Sequence, residues 1–295
     1  MQYIIHLATT MSIFAIVALS LNVVTGAAGI VSLATGAFFG LGAYTTAILC
    51  KAGYPSLAAQ LAGVTIAAVL SIVIALPALR VRGVFLLLVT IAVQIIFTVI
   101  AQSWISVTGG DAGISRIPPY APFGVPLRGV AFLIVCIVEA AIVYEFCRQL
   151  MRSPFGAVLR GLRDDETGSA ALGKNVGAAK ITAFAVSGAG AAFAGSLYAH
   201  YTAFVDPFSF DLSVSILMFL IVILGGAGTA NGPLVGVLVL TLLPEIFKFL
   251  PLPPGVAAAA RQLLYGVLLV AVMYFRPQGI LSTAPGARPI GAIRT

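Results

Sequence analysis

Apolar residues in this chain run in long blocks rather than in alternation. Residues 1–50, 52–79, 83–110 and 212–244 contain no Lys, Arg, Asp or Glu. Each block exceeds the roughly 20 residues that a helix needs to cross a hydrocarbon core about 30 Å thick, and the first and last are long enough to cross twice. Blocks this long, with no two-residue period, do not match the roughly ten-residue strands of an outer-membrane barrel. The pattern predicts an all-α, polytopic membrane protein, one domain over residues 1–295, with about nine spans (eight to ten). We place them at 3–23, 30–49, 57–79, 83–104, 129–147, 180–201, 212–224, 231–250 and 257–275. The amino terminus lacks a basic leader, so the first block is expected to remain as a helix.

The second span is unusual because residues 26–44, GAAGIVSLATGAFFGLGAY, carry glycine at 26, 29, 36, 40 and 42. Clustered glycine in a membrane helix marks either close helix packing or a broken helix lining a cavity. Ser32 and Thr35 would offer hydroxyls to such a cavity, and Phe38, Phe39 and Tyr44 would offer rings. Gln94, inside the fourth span, is a further candidate for the path. If residues 26–44 only dip into the membrane, the amino terminus changes sides.

Composition agrees with the pattern. The chain is 60% hydrophobic and 8% charged, against roughly 25% charged in a soluble domain. A net charge of +7 would suggest nucleic acid in a soluble protein. In a membrane protein it reports orientation, and no nucleic-acid partner is expected. With nine spans, Arg80, Arg82, Arg148, Arg152, Arg160, Arg163, Lys174, Lys180, Arg276, Arg288 and Arg294 fall on one side. Lys51, Arg116, Arg128, Lys248 and Arg261 fall on the other. The richer side is the cytoplasmic one by the positive-inside rule, which puts the tail 276–295 inside and the loop 105–128 outside. Cys50, Cys136 and Cys147 lie in or beside spans without clustered partners, so neither disulfides nor a metal site are expected.

Charge concentrates in residues 152–180, RSPFGAVLRGLRDDETGSAALGKNVGAAK. Ser153-Pro154 reads as a helix start. Phe155, Val158, Leu159 and Leu162 recur at helical spacing, with Arg152, Arg160 and Arg163 turned toward water or headgroups. Asp164 is placed to cap a second short helix whose first turn holds Asp165 and Glu166, and Gly173 supplies a left-handed stop. The segment 148–180 is either a solvated loop that fixes topology or a capped helix that docks into another protein. Its acidic triplet exceeds what topology requires.

No phosphate loop is present, since GGAGTANGP at 225–233 lacks the lysine. This chain is therefore not expected to bind ATP by that means, and no cofactor of its own is expected. Glu139 is the single carboxylate near a predicted mid-span, where it either hydrogen-bonds a neighbouring helix or serves transport. Glu145–Arg148 and Glu245–Lys248 read as interfacial pairs. His6 and His200 read as interfacial rings, and Trp104 as part of an aromatic belt. On the outer side, Thr108, Gly109, Gly110, Asp111 and Gly113 form a flexible turn with one carboxylate, either an ordinary Asp-Gly turn or a contact for a partner. No clustered His, Asp or Glu supports an enzyme. An ion-coupled secondary transporter of small amino acids or amides stands as the alternative, with 36–44 and 191–199 as elements of an inverted repeat.

Five segments in order, ALSLNVVTGAAGIVSLATGAFFGLGAY, RVRGVFLLLVT, TGGDAGI, VILGGAGTANGPLVG and FRPQGIL, together with RSPFGAVLRGLRDDETGSAALGKNV, resemble the LivM-like permease subunits of branched-chain amino acid ABC importers. The resemblance spans nearly the whole chain. It implies an importer in the cell inner membrane, surrounded by lipid. A second permease subunit shares the path, two cytoplasmic ATPases drive it and an extracytoplasmic binding protein delivers substrate. By the same resemblance Arg163, Asp164, Asp165, Glu166, Ala170 and Gly173 would form the coupling helix. Residues 32–44 would line or adjoin the path, and the external segments 108–113 and Asp206 to Asp211 would face the binding protein. Where those permeases carry Gly-His after Ser-Leu, this chain carries Ala34-Thr35, and Glu139 is also particular to it.

Overall fold

The computed structural model describes residues 2–78, 83–122, 124–247, 266–267 and 279–281. Nearly all of the expected span 257–275 and of the tail 276–295, and Arg80, Arg82, Lys248, Arg261, Arg276, Arg288 and Arg294, lie outside the described residues, as does the side chain of Glu245.

The described chain is almost entirely helical. Its helices are α1 (Gln2–Asn22), α2 (Thr35–Lys51), α3 (Ser56–Ala78), α4 (Val84–Ser103), α5 (Ile105–Thr108) and α6 (Val130–Arg152). They continue with α7 (Pro154–Asp164), α8 (Glu166–Ala171), α9 (Val176–Thr202), α10 (Leu212–Gly225) and α11 (Gly232–Phe247). One π turn, Val23–Ala27, prolongs α1. The only sheet among the described residues is a two-residue ladder, β1 (Ile114–Ser115) antiparallel to β2 (Phe204–Val205), with Ile114 opposite Val205.

Among the described residues, six helical segments are long and apolar enough to span, by length and composition alone: Gln2–Ala27, Ser56–Pro77, Phe85–Ser103, Val130–Arg152, Val176–Thr202 and Pro207–Gly225. The polytopic all-α class therefore stands, whereas about nine full spans were expected. One shortfall has a physical cause: α2 has 17 residues and starts at Thr35, because residues 28–34 are not helical. The expected span 231–250 is described only as far as Phe247.

Position in the bundle follows side-chain size. α9 packs on α1, α2 and α3. Its small residues let backbones touch: a Cβ on Gly195 would lie 1.9 Å from the Phe39 carbonyl oxygen, and one on Gly42 of α2 would lie 2.1 Å from that of Ala192. Close approach of this kind replaces the missing hydrophobic drive between helices in lipid. α3, α4 and α6 instead expose a belt of large apolar side chains, including Leu61, Val73, Phe85, Ile96, Val99, Ile137, Ile142 and Phe146. In a soluble protein such a surface would aggregate; here it suits lipid or another membrane subunit.

The two ends of the bundle are distinct. α6 enters from the ladder end and leaves into α7, and α9 returns from α8 to the ladder. α1 begins at the ladder end, where His6 bonds the Tyr201 hydroxyl, and finishes beside α7.

Candidate functional site

The break before α2 organises the interior. A helix start leaves backbone N–H groups without intrahelical acceptors, and Ala34 at the cap position has no side chain to satisfy them. Other helices supply the acceptors. The Ala37 N–H donates to Gln94 Oε1 of α4 at 2.6 Å, the Gly36 N–H donates to Ser215 Oγ of α10 at 2.8 Å, and the Leu33 N–H donates to Thr90 Oγ1 of α4 at 3.1 Å. Ser215 in turn donates to Gln94 Oε1 at 3.0 Å, and Gln94 Nε2 donates to the Phe210 carbonyl at 2.6 Å.

Gln94 lies at the middle of α4, and it holds the starts of both α2 and α10. α10 begins there because the chain after the ladder turns inward through a 3₁₀ turn, Pro207–Phe210, capped by Asp206, and Asp211 then caps α10 by accepting the Val214 N–H at 3.2 Å. Two helices thus start inside the bundle and run to opposite ends. Irregular backbone at this depth is tolerated only when buried in protein or beside a cavity. Asp211, which the resemblance put in an external segment, instead sits at this joint: its carbonyl would be 3.1 Å from a Cβ on Gly36. The signal that could have placed it was the length of α10, since 14 residues are too few to start at the surface.

The candidate path residues separate. Ser32, Thr35, Phe38, Phe39, Tyr44 and Gln94 are all buried. Phe38 and Tyr44 line an apolar crevice of about 390 Å³ between α2, α3, α4 and α5, together with Leu41, Phe97 and Trp104. The Tyr44 hydroxyl is buried and has no hydrogen-bond partner among the described residues. Phe39 faces away from that crevice, with its ring 5.2 Å from Phe210 and 5.3 Å from Tyr198. Gln94 holds backbone. Residues 36–44 and 191–199 lie side by side in α2 and α9, while the geometrically matching starts are those of α2 and α10.

At the α7 end the capped segment is present with one shift of assignment. Ser153 caps α7, and Gly173 takes φ +74. The cap of α8 is Asp165, not Asp164: its carboxylate accepts the N–H groups of Thr167 and Gly168 at 3.0 and 3.1 Å. Asp164 is the last residue of α7, because the backbone leaves helical geometry only at Asp165. Glu166 pairs with the buried Lys180 of α9 at 2.8 Å. Ala170 and Leu172 are exposed, Leu172 by 80%, which leaves an apolar tip on the segment. Arg163 was expected to face water or headgroups. It turns inward, and its Nη1 donates to the Gly26 carbonyl at 2.8 Å. Asn22, which sequence reading passed over, is fully buried and clamps the α10–α11 turn by accepting the Gly228 N–H at 2.8 Å and donating to the Thr229 carbonyl at 2.9 Å.

At the ladder end, Thr108 Oγ1 lies 2.7 Å from the Ala101 carbonyl and accepts the Gly110 N–H at 3.2 Å, so it builds the turn. Gly109, Gly110 and Gly113 all have positive φ, and Gly113 lies against Val205. Asp111 is exposed at the tip. Glu139 accepts from Tyr120 at 3.0 Å and from Gln60 of α3 at 3.2 Å, while Tyr120 lies 2.9 Å from Gln60. Burial, and Glu139 beside it, push the Tyr120 phenol above its ordinary range, so it remains a donor. His200 is buried within the protein, its Nδ1 2.8 Å from the Pro118 carbonyl. No group of three metal-ligating side chains occurs among the described residues.

A bundle of apolar helices in which two discontinuous helices start from one interior joint is the architecture of a membrane transport protein. The chain belongs to the family of branched-chain amino acid transport system permease components, whose sequence pattern matches residues 3–273. It is 32% identical to the high-affinity branched-chain amino acid transport system permease protein LivM of Escherichia coli strain K12, over 97% of this chain and 71% of that protein, and the LivM of Salmonella typhimurium matches equally. A probable LivM of Methanocaldococcus jannaschii is 29% identical over 72% of this chain and 64% of its own length. No solved structure matches the chain.

Proposed function

We propose that the chain is the permease subunit of an ATP-driven importer in the cell inner membrane and forms the path for branched-chain or related amino acids. The family match over residues 3–273 carries this reading. In it, the chain works with a second permease subunit, two cytoplasmic ATPases that hold ATP and magnesium, and an extracytoplasmic binding protein. The α7–α8 end is cytoplasmic, with the carboxyl terminus on the same side.

The geometry supports the division of labour. α7 and α8 are short, separately capped and tipped by exposed Ala170 and Leu172, which suits insertion into a groove of an ATPase. Asp165 and Glu166 then serve to build that tip. Thr108 to Gly113 and Asp206 form the rim that would meet the binding protein, with Asp111 as the exposed charge. The joint at Gln94 and the crevice lined by Phe38 and Tyr44 mark the part of the path this chain contributes.

Affinity purification of the tagged chain from its native membrane tests the assembly. It should bring down a nucleotide-hydrolysing subunit and a second polytopic permease. Recovery of the chain as a homo-oligomer that takes up substrate on an ion gradient alone would reject the reading.

A further inference from the structure

We propose that Arg163 is the strut that carries motion from the α7–α8 segment to both broken helices, and not a residue that touches the ATPase. The inference rests on the importer reading above and assigns a task within it.

The position of Arg163 is defined on three sides. Its Nη1 donates to the Gly26 carbonyl in the π turn at the end of α1, at 2.8 Å. That carbonyl lies in a final helical turn, where acceptors lack intrahelical donors. Its stem fills the place of a side chain at Gly29: a Cβ there would lie 2.7 Å from Arg163 Cγ, and Gly29 has φ +70. Its guanidinium fills the same place at Gly228, where a Cβ would lie 2.7 Å from Nη1 and φ is +85. Gly26 and Gly228 themselves nearly touch, since a Cβ on Gly26 would lie 2.2 Å from the Gly228 nitrogen. Asn22 locks this contact from α1.

Each of these glycine turns feeds a helix of the interior joint. Gly26 and Gly29 precede the start of α2, and Gly228 follows the end of α10. Gln94 and Ser215 hold the other ends of those links together. A displacement of α8 by a bound ATPase moves α7 with it, and Arg163, on the last turn of α7, meets backbone on both turns. Backbone contacts of this kind leave no compressible side chain to absorb the motion. A planar guanidinium with five donors suits the task, because it can keep one carbonyl while its stem packs.

The test uses the complete importer in proteoliposomes, with substrate uptake and ATP hydrolysis measured together. Arg163→Ala should leave the ATPase bound and turning over while uptake falls, so that ATP consumed per substrate moved rises about tenfold or more. Arg163→Lys, which retains one long-stemmed donor, should recover part of the ratio. A wild-type ratio in an assembled Arg163→Ala complex overturns the proposal, as does a loss of hydrolysis in proportion to uptake. If Arg163→Ala does not assemble, the same ratio in Arg163→Lys decides: raised supports the strut, unchanged overturns it. Failure of the importer reading itself would show in the wild type, as uptake independent of ATP.

Discussion

Gln94 shows how a single polar side chain can hold a fold together in an apolar interior. Its amide accepts from Ala37 and Ser215 and donates to Phe210, joining three segments distant in sequence. Replacing it with Leu would strand at least the Ala37 N–H and the Phe210 carbonyl, each costing about 1–3 kcal/mol when buried without a partner. Gln94→Leu should therefore lower the melting temperature of the detergent-solubilised protein by several degrees, and Gln94→Glu, which keeps the acceptor but loses the donor, should fall between. An unchanged melting temperature in Gln94→Leu would show that the joint is held elsewhere. The sequence marked Gln94 as a polar residue within an apolar run, but not whether it faced a path or a backbone. That depends on where α2 and α10 begin, which only the fold reveals. Asn22, and the inward contact of Arg163, escaped for the same reason: both act on backbone groups far along the chain, which leave no pattern in side-chain spacing.

At the scale of elements, caps and glycines were the most legible features. Ser153-Pro154 and Gly173 punctuate the sequence as they punctuate the structure, because their chemistry is local. The cap of α8 moved by one residue to Asp165, since either of two adjacent aspartates can bond the same N–H groups and the exit geometry of α7 chooses between them. Asp165→Asn, which retains a capping oxygen but no charge, should keep both uptake and slow amide exchange at Thr167 and Gly168. Asp165→Ala should cost about 1 kcal/mol of local stability and speed that exchange. A loss of uptake in Asp165→Asn with exchange unchanged would instead make the charge itself a contact. The glycines of 26–44 proved to serve both readings that their clustering left open. Gly26 and Gly29 shape the break, and Gly42 packs α2 against α9. Gly195→Ala should prevent that packing outright, because its methyl would meet the Phe39 carbonyl at 1.9 Å. Accumulation of correctly folded Gly195→Ala at wild-type level would contradict the close crossing.

For the molecule as a whole, hydropathy blocks sufficed to establish a polytopic helical class, because only helices and closed barrels satisfy backbone groups in lipid. The number of full spans was less legible. A broken helix and a full span have the same apolar composition, and the difference lies in where the backbone leaves the helix. The charged segment at 152–180 drew attention by composition, and its exposed tip and inward strut give that charge a structural meaning: Asp165 builds the tip, Glu166 ties it to Lys180, and Arg163 ties it to the interior. The most direct test of the account is uptake of labelled leucine, isoleucine and valine by proteoliposomes that contain this chain with the second permease and ATPases proposed above, with the proposed binding protein outside and ATP either supplied or withheld. The account predicts accumulation only when ATP and the ATPases are both present. Equal accumulation without ATP, driven by an imposed ion gradient, would contradict it.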